Sequence, residues 1–233
     1  MRVEEVVSEL KKRAKPTTLA TYERHGATNP LGVSFADLER LRKKIKRNHE
    51  LAKQLWEERY MEARTLACFI ADPAKMSTRD LDSWIGEVTY HGLIDCVVSH
   101  VVSKGPHALS KLPTWTRSTD EYVGRAGWVL LAHLANENPN LPDSFFEPYL
   151  DKIVEGIHKA PNRKRQAMNN ALIAIGIRSE QLAHKAIITA KTIGAVEVDH
   201  GDTSCKTPDA ILYIEKAWAR KRARSKTRAL KVS

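Results

Sequence analysis

The runs Thr89-Tyr90-His91-Gly92-Leu93-Ile94-Asp95-Cys96-Val97-Val98 and Glu121-Tyr122-Val123-Gly124-Arg125-Ala126-Gly127-Trp128-Val129-Leu130-Leu131 are two apolar segments, each interrupted by one charge. The stretch from Glu87 to Asn136 that holds them decides the reading of the fold. Burying either charge alone is costly, so Asp95 and Arg125 each require a partner, a cleft or an anionic ligand. The plain structural account is an Asp–Arg pair between neighbouring helices, or two partly exposed residues. The functional account puts both on a ligand-facing surface.

Outward from this stretch, apolar residues recur at helical spacing and strand signals are scarce. Val3, Val6, Val7 and Leu10 mark a short amphipathic segment ended by Pro16, and Tyr22 to Gly32, with Gly26, Asn29 and Pro30, reads as a loop. Ser34 opens a helix with Phe35, Leu38, Leu41 and Ile45 on one side. Arg40, Arg42, Lys43, Lys44, Lys46 and Arg47 fill the other, a face suited equally to solvent and to DNA. Glu50 to Ile70 predicts two helical pieces or one bent one. Ser77-Thr78-Arg79-Asp80 and Ser118-Thr119-Asp120-Glu121 are capping boxes. Gly92 separates the helix before it from the one carrying Asp95. Further helices are expected near 144–159, 163–176 and 180–194, with a last one starting at Thr207-Pro208. Trp56, Trp84, Trp128 and Trp218 sit at core spacing, whereas Trp115 in Leu112-Pro113-Thr114-Trp115 is expected in a turn.

These helices form antiparallel pairs of roughly 35 to 45 residues, the period of HEAT-type repeats. The expected fold is all-α: a curved solenoid of helix pairs in one domain, residues 1–218, with a compact bundle as the alternative. Residues 219–233 form a basic tail expected to be flexible.

The chain has 38 Lys plus Arg against 28 Asp plus Glu, a net charge of +10, which suits a polyanion partner. Seven of the basic residues lie between Arg220 and Lys231, and removing them from +10 leaves +3, so a DNA-binding body must gather its charge on one face. No apolar run approaches the roughly 20 residues that cross a bilayer, and no signal peptide opens the chain, so a soluble cytoplasmic protein is expected. Cys68, Cys96 and Cys205 are widely spaced and lack a CxxC pattern, which argues against a disulfide framework or a zinc module.

The order and spacing of Tyr22, Leu31-Gly32-Val33, the basic helix, Leu51-Ala52-Lys53-Gln54-Leu55-Trp56, Glu62-Ala63-Arg64, the Asp95 segment and Gly124-Arg125-Ala126 resemble the DNA alkylation repair family. These are the HEAT-like-repeat alkylpurine DNA glycosylases. The resemblance spans about Tyr22 to Ala217. It implies duplex DNA held on a basic concave face and hydrolysis of the N-glycosidic bond of cationic N3- or N7-alkylated purines, without a cofactor or metal. It also implies that Asp95 stabilises developing positive charge on the sugar and places water, and that Arg125 anchors a phosphate.

The family's aromatic before the aspartate is His91 here, with Tyr90 beside it, and its later cleft tryptophan falls near Asn170. His91 stands four residues before Asp95, where it either orients water or caps the helix at Gly92. Asn170 either bonds the DNA backbone or is an ordinary helix residue. Catalytic candidates are therefore Asp95 and His91; DNA-binding candidates are Arg125, Tyr90, Asn170, Arg165, Lys43 and Arg47. The partner expected is double-stranded, alkylated DNA bound by a monomer.

The polar run Val198-Asp199-His200-Gly201-Asp202-Thr203-Ser204-Cys205-Lys206-Thr207-Pro208 reads as a turn, a DNA-facing loop or, least of all, a metal site, since no second ligand cluster accompanies it. No GxSxG elbow or phosphate-binding glycine loop is present. Two other function classes stay open: a noncatalytic binder of bent, damaged or branched DNA, and a HEAT-type protein scaffold.

Overall fold

The computed structural model describes residues 1–229, with side chains through Arg224; Leu230 to Ser233, the end of the basic tail, lie outside the described residues. The described residues contain thirteen α-helices and no strand. They divide into two compact units, Met1–Leu130 with His200–Cys205, and Leu131–Asp199 with Lys206 onward.

The first unit holds α1 (Val3–Lys12), α2 (Pro16–Arg24), α3 (Phe35–Ile45), α4 (His49–Glu57), α5 (Met61–Ile70), α6 (Thr78–Gly86), α7 (His91–Val97), a π-helical turn at Val98–Val102, α8 (Ala108–Arg117) and the first part of α9 (Glu121–Glu137). At its centre is α5, buried at every position but Phe69 and packed against α3, α4 and α7. Asn48 caps α4 by accepting from the Leu51 N–H at 3.1 Å, and its own N–H donates to the Ile70 carbonyl at 2.8 Å. The start of α4 thus meets the end of α5, so of the two readings of the Glu50–Ile70 segment the structure has two helices, paired antiparallel, and not one bent helix.

Ser77 and Asp80 form the expected capping box of α6. Trp84 on α6 stacks flat on Trp56 of α4, with ring centroids 4.0 Å apart at 1°. Gly127 lets α9 approach α8 at backbone distance, since a Cβ there would stand 2.6 Å from the Trp115 carbonyl carbon.

The second unit contains the rest of α9 with α10 (Glu147–Gly156), α11 (Asn162–Arg178), α12 (Glu180–Ile193) and α13 (Ala210–Ala229). Its core helix is α11, whose Gly176 would place a Cβ 2.5 Å from Ile214 of α13. Arg178 ends α11 and ties down the turn after α9 through the Ala135 and Asn138 carbonyls, both at 2.9 Å, the Leu141 carbonyl, and the Asp143 carboxylate at 3.1 Å.

Some local readings differ from the structure. Pro16 does not only end α1: it starts α2, which takes in Tyr22, so the loop begins after Arg24. Gly92 lies inside α7 rather than before it. Trp115 is in helix, 2% exposed, because α8 accommodates Pro113 in its interior and the indole N–H donates to Asp82 at 3.0 Å. Helix α13 starts at Ala210, capped by Asp209, whose carboxylate accepts from the Leu212 N–H at 3.0 Å. It runs on to Ala229. No helix among the described residues is long and apolar enough to cross a membrane.

Candidate nucleic-acid interface

Asp95 and Arg125 meet, as partners, in the first unit. Arg125 Nε donates to Asp95 Oδ1 at 2.8 Å and Nη2 donates to Oδ2 at 2.6 Å, a bidentate pair between α9 and α7. The two side chains differ in access: Arg125 is 3% exposed and Asp95 is 41% exposed. Arg125 therefore does not present its guanidinium to solvent, whereas the carboxylate keeps an open edge.

Tyr90 is the N-cap residue of α7 and His91 its first residue, with their rings 4.9 Å apart at 66°. The Tyr90 side chain lies over Gly92, where a Cβ would fall 2.8 Å from two ring carbons and from the hydroxyl oxygen, so the glycine gives the tyrosine its seat. His91 stands one turn before Asp95 and is half-buried. Tyr90, His91, Asp95 and Arg125 are thus gathered at one helix and its neighbour.

The loop that precedes α3 is built by a residue noted above only as part of a motif. Glu62 on α5 is fully buried, and its carboxylate accepts from the N–H groups of Leu31 at 2.7 Å, Gly32 at 2.6 Å and Val33 at 2.9 Å. Gly32 sits at φ +92°, and the Lys15 N–H donates to its carbonyl at 2.9 Å. The Tyr22 hydroxyl donates to the Val33 carbonyl at 2.9 Å. Burial pushes the Tyr22 phenol up to about 12, helped by the negative charge of Glu62 and by Tyr90. An acid, with Arg64 two residues on, in the largely apolar helix Met61–Ile70 is the sequence signal for this cradle. Beside it, Arg64 donates to Glu87 at 2.9 Å and to the Trp56 carbonyl at 3.0 Å, with its guanidinium 4.7 Å from the Trp56 ring centroid.

The basic face of α3 is partly neutralised on its own helix, by Arg40 with Asp37 at 2.6 Å and Arg42 with Glu39 at 2.8 Å. Lys43, Lys44 and Lys46 are exposed, as is Arg47, whose side chain is 68% exposed and lies 3.8 Å from Asp72.

Arg165 and Asn170 belong to the second unit. Arg165 is half-buried and donates to the carbonyls of Glu197 at 3.0 Å, Ala160 at 2.9 Å and His158 at 3.4 Å, so it braces backbone. Asn170 is exposed on α11. Its neighbour Asn169 is buried and donates to the Pro208 carbonyl at 2.9 Å. In the 199–207 run, Thr203 Oγ1 donates to the His200 carbonyl at 3.0 Å and accepts from the Cys205 N–H at 3.3 Å, the bonding of a turn. No group of three metal-ligating side chains occurs among the described residues.

Residues 6–214 match the sequence model of the DNA alkylation repair enzyme family. An uncharacterised protein of Listeria monocytogenes is 33% identical over 216 residues, covering 90% of this chain and 94% of that protein. An uncharacterised protein of Listeria innocua is 34% identical over 217 residues with the same coverage. A solved structure superposes with a TM-score of 0.87 and 31% identity, covering 95% of this chain and 96% of the other. It is described as representing a new family of proteins related to the HEAT-like repeat DNA glycosylases with affinity for branched DNA structures.

Proposed function

Because the chain belongs to the DNA alkylation repair enzyme family, with the HEAT-like helical fold of that group, we propose that it binds DNA and recognises branched structures, as its structural relative does. The observation that carries this reading over base excision is the bidentate Asp95–Arg125 pair. A carboxylate with both oxygens on a buried guanidinium presents a dipole more than a full negative charge. It therefore stabilises a developing cation less than a free carboxylate does. The pair instead makes a rigid element between α7 and α9, with Arg125 holding Asp95 in place and the Asp95 edge exposed beside Tyr90 and His91. Exposed Lys43, Lys44, Lys46 and Arg47 supply phosphate contacts.

The affinity of the full chain for a four-way junction and for linear duplex of equal length, measured across salt concentrations, tests this. The junction binds tighter, and log Kd rises linearly with log salt for both DNAs as counterions are released. Lys43→Ala with Arg47→Ala lowers that slope. Equal affinity for junction and duplex sinks the branched-DNA reading, and absence of any DNA binding sinks the whole proposal.

A second reading, glycosylase action on N3- and N7-alkylated purines, is favoured by one fact: Asp95 is 41% exposed and so within reach of a sugar. Release of 7-methylguanine and 3-methyladenine from methylated duplex by excess protein tests it. Release that falls sharply in Asp95→Asn while binding persists establishes it. No release by folded, DNA-binding wild type removes it.

A further inference from the structure

Three rings form a row on the first unit, one each from α3, α5 and the turn after α7. Phe35, the first residue of α3, is 52% exposed, an uncommon exposure for a phenylalanine. Its ring lies 6.1 Å from that of Phe69, the one residue of α5 that is not buried. Phe69 in turn lies 4.6 Å from the ring of His100, which is exposed on the π-helical turn after α7. The row therefore spans three elements, its neighbouring rings inclined at 56° and 46°, and the residues at both ends, Phe35 and His100, are exposed.

Its surroundings are ionic and suit a phosphate chain. Glu39, one turn after Phe35, is bonded to Arg42 at 2.8 Å, so this acid is neutralised within the helix. The Asn48 N–H to Ile70 carbonyl bond, 2.8 Å, brings the Lys46-Arg47 segment to the C-terminal end of α5, the end that carries Phe69. Asp72 nearby lies 3.8 Å from Arg47. The His100 ring is held in place, with Nδ1 2.8 Å from the Ser99 hydroxyl and 3.2 Å from the Cys96 carbonyl. The hydrogen bond with Cys96 holds the His100 pKa above its ordinary value, against the opposing effect of burial.

We propose that Phe35, Phe69 and His100 form a stacking platform for unpaired nucleobases, with Lys46 and Arg47 on the adjoining phosphates. Aromatic faces next to mobile cations are the chemistry that grips single-stranded nucleic acid without reading its sequence. The proposal rests on the DNA-binding reading above and sharpens it: the ligand is a branch that exposes unpaired nucleotides, with the bases on the rings and the backbone along the end of α3.

The test uses the full chain and three fluorescent DNAs: a linear duplex, a fully paired four-way junction, and a branched duplex with a flap of unpaired thymidines. Wild type binds the flap substrate more tightly than the paired DNAs. Phe35→Ala and His100→Ala, both at exposed side chains, each weaken flap binding about tenfold and leave duplex binding within about twofold. Phe35→Leu, which keeps apolar cover but removes the ring, weakens flap binding as much as Phe35→Ala. If Phe35→Leu binds like wild type, or if the variants lose flap and duplex binding equally, stacking is overturned. Wild type that binds junction and duplex but gains nothing from the flap overturns the platform alone. Wild type that binds none of the three overturns the DNA reading on which the platform rests.

Discussion

Replacing Glu62 should unfold the site from its foundation. The carboxylate is fully buried and accepts three backbone N–H groups within 2.9 Å, from Leu31, Gly32 and Val33. A hydrogen bond to a charged group contributes about 1.5–3 kcal/mol. Glu62→Ala deletes all three and leaves buried N–H donors without acceptors, so the expected loss, allowing for partial overlap of the three, is about 4–6 kcal/mol. That is a large part of the roughly 5–15 kcal/mol by which domains are stable.

Glu62→Gln is the sharper experiment. Its amide oxygen keeps the position of Oε1, which serves Gly32 and Val33, while its NH2 group faces the Leu31 N–H, donor against donor. The expected loss is about 2–3 kcal/mol, from one broken bond and two that lose charge assistance. Urea unfolding followed by circular dichroism measures both variants, and amide exchange at Leu31 locates the damage. Glu62→Gln within about 0.5 kcal/mol of wild type, with Leu31 exchange unchanged, would refute the claim that the anion holds this loop.

Arg125→Met and Asp95→Asn should each destabilise the chain, and a double-mutant cycle should give a coupling of about 1–3 kcal/mol, limited by the exposure of the Asp95 side. Gly127→Ala should cost about 2–3 kcal/mol in urea unfolding, because the added carbon would meet the backbone of Trp115 and Thr116 on α8. Tyr22 retains its proton up to about 12 in the fold and loses it near 10 when unfolded. The unfolded chain thus releases the proton first, and the stability contribution, full below about 10, is lost as pH rises to about 12. Tyr22→Phe should flatten that decline, and absorbance titration at alkaline pH should lose a late-ionising tyrosine.

Local chemistry wrote most of the helices. Leu38 and Leu41 of α3 recur at helical spacing and are buried, and Ser77 with Asp80 caps α6 through atoms only three residues apart. Such features depend on neighbours in the chain and are legible there. Proline misled twice for the same reason: Pro16 and Pro113 are breakers by local rule, yet the first starts α2 and the second is accommodated inside α8.

The candidate site divides along the same line. That Asp95 and Arg125 lie in apolar helices, and so require partners or a ligand, was readable from the chain. That they satisfy each other, leaving Arg125 covered and Asp95 open, depends on how α9 rests on α7, which residues thirty positions apart do not encode locally. The turn-bracing role of Arg165, the three-fold cradle around Glu62 and the row of Phe35, Phe69 and His100 likewise arise where distant segments meet. The sequence by itself determined an all-helical chain of paired helices with two conspicuous charges. Only the tertiary structure decided which charges neutralise one another and which rings reach solvent, because burial and pairing are properties of packed surfaces and not of the segments that supply them.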